Sequence, residues 1–125
     1  MSVILDAGAL VAVERRDRRV GAMLRIAQVE GLRVRTSAAA VAQVWRGGAR
    51  QAHLARVLAG VAAVGLDLAA GKHVGILLGA SGTNDVVDAH VAMLVGDGDQ
   101  VLTSDSEDLR QLLGARAVQA RLIRV

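Results

Sequence analysis

The sequence predicts a three-layer α/β/α domain, with helices on both faces of a five-stranded, mostly parallel sheet. Five short apolar runs of strand length alternate with segments whose apolar residues recur at helical spacing. Parallel strands need crossover connections, so this alternation favours a sheet covered on both faces. In addition, carboxylates close or follow apolar runs: Asp6 ends Ser2–Asp6, Asp105 ends Val101–Asp105, and Asp88 opens Ala89–Val95 with Asp85 one turn earlier. In an open α/β sheet the crevice lies outside the carboxyl ends of the strands, where acids so placed converge.

Each element has its own signal. Ser2–Asp6 is a β-branched and leucine run, and Gly8 leads into a helix-compatible Ala9–Glu14. Asp17 caps a helix whose apolar face is Val20, Met23, Leu24 and Ala27, and Gly31 stops it. Arg33–Thr36 is the second strand. Ser37 caps a helix through Val41, Val44 and Trp45 that ends at Gly47-Gly48. Arg50–Leu58 is a further helix and Val61–Leu66 the third strand. Asp67 caps Leu68–Leu78, which Gly79 ends. After the Ala80–Asn84 loop, Asp85–Val95 is helical, Gly96–Asp99 a turn and Gln100–Thr103 the fourth strand. Ser104 or Asp105 caps a short helix through Leu109, Leu112 and Leu113 that Gly114 terminates, and Arg116–Val125 contains the fifth strand.

Composition narrows the function classes. The 125 residues read as a single domain, 1–125, able to bury a core. The absence of cysteine excludes disulfides and thiolate metal sites and is compatible with a reducing cytoplasm. Met1–Ala12 is apolar but contains Asp6 and lacks a basic leader, so it does not read as a signal peptide. No uncharged apolar run approaches the roughly 18 residues of a membrane span. Basic charge comes from fourteen arginines and one lysine, Lys72, for a net charge of +3. That balance fits a polyanionic partner or an arginine-favouring genome equally well. Trp45 is the lone aromatic, so base stacking cannot be the main grip on a single strand.

The acids carry the chemistry. Converging carboxylates repel one another unless a hard cation such as Mg²⁺ neutralises them. Cation sites of this kind commonly serve phosphate chemistry. Three segments occur in order: Leu5-Asp6-Ala7-Gly8-Ala9-Leu10, Asp85-Val-Val-Asp88-Ala89-His90-Val91-Ala92, and Val101-Leu-Thr103-Ser104-Asp105. Together, and over essentially the whole chain, they resemble the PIN domain of VapC-type ribonuclease toxins.

The resemblance implies a five-stranded parallel sheet between helices and metal-dependent endonucleolytic cleavage of RNA. It assigns Asp6, Asp88 and Asp105 to one or two Mg²⁺ or Mn²⁺ ions. These would activate a water and neutralise the scissile phosphate. Thr103 or Ser104 would orient water or phosphate through a hydroxyl. Where the family usually has a Glu, this chain has Gln43, within Ala40-Val-Ala-Gln43-Val-Trp45-Arg46. Gln keeps an oxygen ligand but loses a full charge. Asp85 is the candidate to restore that charge, and Glu14 a lesser one. The family also implies a cognate VapB-type antitoxin and a homodimer or toxin–antitoxin hetero-oligomer. Met23, Leu24 and Trp45 are the apolar candidates for such surfaces.

Other features have blander readings. Arg15, Arg16, Arg18 and Arg19 read first as solvated surface and second as phosphate contacts. Arg46 and Arg50 follow the helix of Gln43 and would flank the catalytic mouth. His53, His73 and His90 lack metal-ligand spacing, and His90 alone would neighbour the site. Asp97, Asp99, Glu107 and Asp108 read as turn and surface charges. Two rival functions remain. One is a catalytically weak RNA- or partner-binding module, on account of Gln43. The other is a response-regulator receiver, disfavoured because Lys72 lies in a helix and not at the end of the last strand.

Overall fold

The computed structural model describes residues 1–125. The elements follow the order β1 (Ser2–Leu5), α1 (Ala7–Glu14), α2 (Arg18–Val29), β2 (Arg33–Ser37), α3 (Ala38–Val44), a single 3-10 turn (Ala49–Gln51), α4 (Ala52–Leu58), β3 (Ala62–Val64), α5 (Leu68–Ser81), α6 (Val86–Leu94), β4 (Gln100–Thr103), α7 (Ser106–Ala115) and β5 (Arg121–Arg124). The sheet runs β3-β2-β1-β4-β5 and every pairing is parallel. No helix is long and apolar enough to cross a membrane.

The strand order positions the site. From β1 the chain steps through β2 to β3 on one side, then returns past β1 to β4 and β5 on the other. Right-handed crossovers therefore place α1 to α4 on one face and α5 to α7 on the opposite face. The helices α5, α6 and α7 pack against one another, and α1 packs against α2, α3 and α4. The order reverses between β1 and β4, so the carboxyl ends of those two strands flank the topological switch point. Both strands are covered on their two faces: Val3, Ile4 and Leu5 of β1 and Val101, Leu102 and Thr103 of β4 are all buried.

Side-chain caps set most helix starts. Asp17, Ser37, Asp67, Asp85 and Asp105 each accept a backbone N–H two or three residues on. Asp6 does the same for α1, which therefore begins at Ala7 and not at Ala9. Three stops differ from expectation. Helix α3 ends at Val44, because Trp45 is already extended at φ −69° and ψ 129°. Helix α5 runs through Gly79 to Ser81 and ends where Gly82 adopts a left-handed φ of 70°. Helix α7 runs through Gly114 to Ala115. A glycine inside a helix weakens it by about 1 kcal/mol but does not end it unless the backbone turns left-handed there. The third strand is only Ala62–Val64, and Arg50–Leu58 divides into the 3-10 turn and α4.

Polar side chains close the ends of the sheet. Asp99, expected as a turn charge, is buried: its carboxylate accepts the Ser2 amide at 2.6 Å and the Gly96 amide at 2.8 Å. It thus ties β1 to the turn before β4. The last carbonyls of α6 are capped by arginine: Arg116 Nη1 donates to Ala92 and Val95, both at 2.6 Å, and Arg35 Nη1 to Leu94 at 3.2 Å.

Gly8 is the most closely packed of the glycines. A Cβ there would overlap the Ser104 side chain and sit 3.2 Å from the Ser104 backbone nitrogen. Rotating Ser104 moves Oγ but not its Cβ, so the β4–α7 connection would have to shift. Gly8→Ala should therefore cost about 1–3 kcal/mol in urea unfolding. A variant as stable as the parent would show that the two segments do not approach as closely as described.

Candidate metal centre at the switch point

Asp6 is the residue on which the site is built. It follows β1 directly and is 2% exposed. Its amide donates to the Leu102 carbonyl of β4 at 3.2 Å. One carboxylate oxygen accepts the Ala9 amide at 2.8 Å, and the other accepts the Ser104 amide at 3.1 Å. A single side chain so starts α1 and holds the loop after β4. Burial raises the Asp6 pKa, while hydrogen bonds from Thr103, Ala9 and Ser104 oppose the rise and the charge of Asp105 adds to it.

Three more carboxylates gather beside it. Asp88 lies in the first turn of α6, Asp105 caps α7, and Asp108 stands three residues further on. One oxygen from each lies within 4.8 Å of the others. Asp105 is held on both sides: its amide donates to Thr103 Oγ1 at 2.9 Å, and its carboxylate accepts the Asp108 amide at 3.3 Å. The Asp88 pKa is raised to about 7, first by burial and then by Asp85, Asp6, Asp105 and Asp108. Every charge acting on it is negative. Asp108 is also raised, chiefly by Asp105. Partial positive charge at the amino ends of α6 and α7 offsets part of this repulsion.

The expected residues divide by position. Asp88 and Asp105 bring oxygens together at the switch point, and Asp6 lies outside that group but near enough for its charge to raise the Asp88 pKa. Asp85 is exposed one turn before Asp88 and accepts its amide at 2.9 Å. Thr103 is buried with its hydroxyl engaged by Asp105, and Ser104 is exposed beside Gly8. Gln43 lies on the exposed side of α3. Arg15 follows the last residue of α1, roughly 13–14 Å along that helix from Asp6 at ~1.5 Å per residue. Arg46 Nη1 donates to the Ala42 and Trp45 carbonyls, capping α3. His90 points into the interior, its Nδ1 paired with Ser37 Oγ at 2.6 Å, and burial lowers its pKa.

Asp108 is the site neighbour that sequence reasoning missed. Its only local signal is spacing, three residues past the cap Asp105 in the first turn of α7, while its approach to Asp88 of α6 is a tertiary contact.

At the other end of the strands, α2 and α4 enclose a groove of about 880 Å³. Leu24, Val34 and Val57 contribute to its apolar lining, and Arg16, Arg18, Arg25, Arg33 and Arg56 surround it. Leu24 was among the apolar candidates for a partner surface, whereas Trp45 is 40% exposed at the end of α3.

No family model matches this chain, and no curated protein does. Among solved structures, it is similar to a chain in the crystal structure of VapBC2 from Rickettsia felis bound to a DNA fragment from their promoter. The identity is 12%, the TM-score 0.72, and the match covers 98% of this chain and 99% of that one. The two chains share a fold, which here is a five-stranded all-parallel sheet between helices.

The crowded acids dictate a pH dependence. Unfolded, Asp88 ionises near 3.8; folded and metal-free, it holds its proton up to about pH 7. Between those values the folded state binds more protons, so stability falls as pH rises through the window. In EDTA, the melting temperature should drop from pH 4 to pH 7 more steeply for the parent than for Asp88→Asn. Parallel curves would contradict the crowding.

Proposed function

We propose that the protein is a Mg²⁺- or Mn²⁺-dependent endoribonuclease acting in the cytoplasm as the toxin of a VapBC-type toxin–antitoxin pair. The observation that carries this reading is the convergence of Asp88, Asp105 and Asp108 beside buried Asp6, with only like charge around Asp88. The donors are all carboxylate oxygens, the set that hard divalent cations prefer. The three oxygens all lie within 4.8 Å of one another, close enough for one hard cation to be held between them. A bound cation neutralises charge on a scissile phosphate and promotes ionisation of water.

The chain's own residues have separable tasks in this reading. Asp88, Asp105 and Asp6 line the cation site, with Asp6 also fixing the walls through its two amide contacts. Thr103 orients the Asp105 backbone, and the exposed Ser104 hydroxyl faces an arriving phosphate. The antitoxin occupies the arginine-rimmed groove, whose apolar lining and cationic rim suit an amphipathic acidic segment. Exposed Leu68 and Ile76 on α5 are available for a homodimer contact. The neutral, exposed Gln43 favours a second reading, in which the same fold binds RNA or a partner but cuts weakly or not at all.

RNA cleavage with Mg²⁺ or Mn²⁺ tests the proposal, using Asp105→Asn because Asn caps a helix as well as Asp. Asp6→Asn is less informative, since its amide would face the Ser104 N–H. Asp105→Asn should lose roughly 10²-fold or more in rate. Equal rates would refute the mechanism, and a native chain that binds metal without cutting would favour the second reading. Gln43→Glu should raise cleavage if that position reaches the cation; an unchanged rate would remove it from the site.

The groove makes its own prediction. Arg25→Glu should weaken binding of the antitoxin encoded beside the gene while leaving RNA cleavage by the free protein unchanged. Unaltered affinity would place the antitoxin elsewhere.

A further inference from the structure

We infer that Asp108 supplies the cation site with the carboxylate that Gln43 cannot, so that the fourth acid of this centre comes from the start of α7 and not from α3. The inference rests on the metal-dependent reading above.

Its first support is the availability of lone pairs. Every other aspartate of the chain apart from Asp88 has a carboxylate oxygen committed to a backbone N–H, in caps, turns or the β4 loop. Asp88 and Asp108 accept none. At the switch point these two carboxylates therefore accept no hydrogen bond from the chain, and each places one oxygen in the cluster. The second support is placement. Asp108 is half-buried at the third position of α7, with an oxygen within 4.8 Å of oxygens from both Asp88 and Asp105. Its backbone amide donates to the Asp105 carboxylate at 3.3 Å, which fixes the point from which the side chain reaches the cluster. Gln43, by contrast, is an uncharged amide on an exposed helix face. Exchanging a neutral donor for a carboxylate raises cation affinity through charge count alone.

Calorimetric titration with Mn²⁺ at neutral pH tests this. Asp108→Asn should weaken Mn²⁺ binding roughly tenfold or more, whereas Gln43→Ala should stay within about twofold of the parent. A parallel thermal series separates ligation from folding. In EDTA, Asp108→Asn should melt at or above the parent, because one repelling charge is gone. With Mn²⁺ the parent should gain more than the variant. Asp108→Glu, which keeps the charge, should recover part of the affinity. If the parent binds Mn²⁺ and Asp108→Asn binds it equally well, the role of Asp108 is overturned while the metal reading stands. If the parent binds no Mn²⁺ at millimolar concentration, both fall together.

Discussion

The two amide contacts of the Asp6 carboxylate organise the rest of this structure. One oxygen holds the first turn of α1, and the other holds the backbone just beyond β4. Those segments meet beyond the paired ends of β1 and β4, where the sheet reverses its strand order, so the contact extends the link between the two strands past their last ladder pair. Gly8 permits the approach by having no side chain where Ser104 passes. A buried carboxylate without partners would be strongly unfavourable, whereas one that accepts two amides is tolerable and rigid. The same contacts fix the amino end of α7, and with it the direction of Asp105 and Asp108.

That rigidity has an electrostatic consequence. Folding brings Asp88, Asp105 and Asp108 together near Asp6 and Asp85, and no basic side chain shares the cluster to neutralise it. The chain has fourteen arginines, yet they serve elsewhere, as helix caps at Arg46 and Arg116 or around the α2–α4 groove. Acid is concentrated at the carboxyl ends of the strands and base at the amino ends of β2 and β3. Such segregation opposes stability in the isolated chain and favours two different ligands: a cation at one end and an anionic surface at the other.

Much of this was legible in the sequence, because it depends on local chemistry. Asp17, Ser37, Asp67 and Asp85 announce their helices by capping them, and the continuous apolar runs of β1 and β4 announce strands buried on both faces. Strand order was not legible, since nothing local in β4 says that it pairs with β1. The convergence of Asp6 with Asp105 was expected from the crevice at the carboxyl ends of parallel strands, but that their strands are neighbours appears only in the register Leu5 opposite Leu102. Long-range polar roles were equally invisible. Asp99 looked like a turn residue, yet it accepts an amide ninety-seven residues away. Asp108 looked like surface charge because its partner on α6 is distant in sequence. The helix ends past Gly79 and Gly114 were misjudged for a different reason: glycine marks a stop only where φ turns positive.

The central claim is that these carboxylates form one centre for a divalent cation. An anomalous difference map from a crystal of the native chain soaked in Mn²⁺ tests it most directly. The account predicts a peak within about 2–2.5 Å of oxygens from Asp88, Asp105 and Asp108. A map with no peak at the switch point, or with Mn²⁺ held only elsewhere, would contradict it.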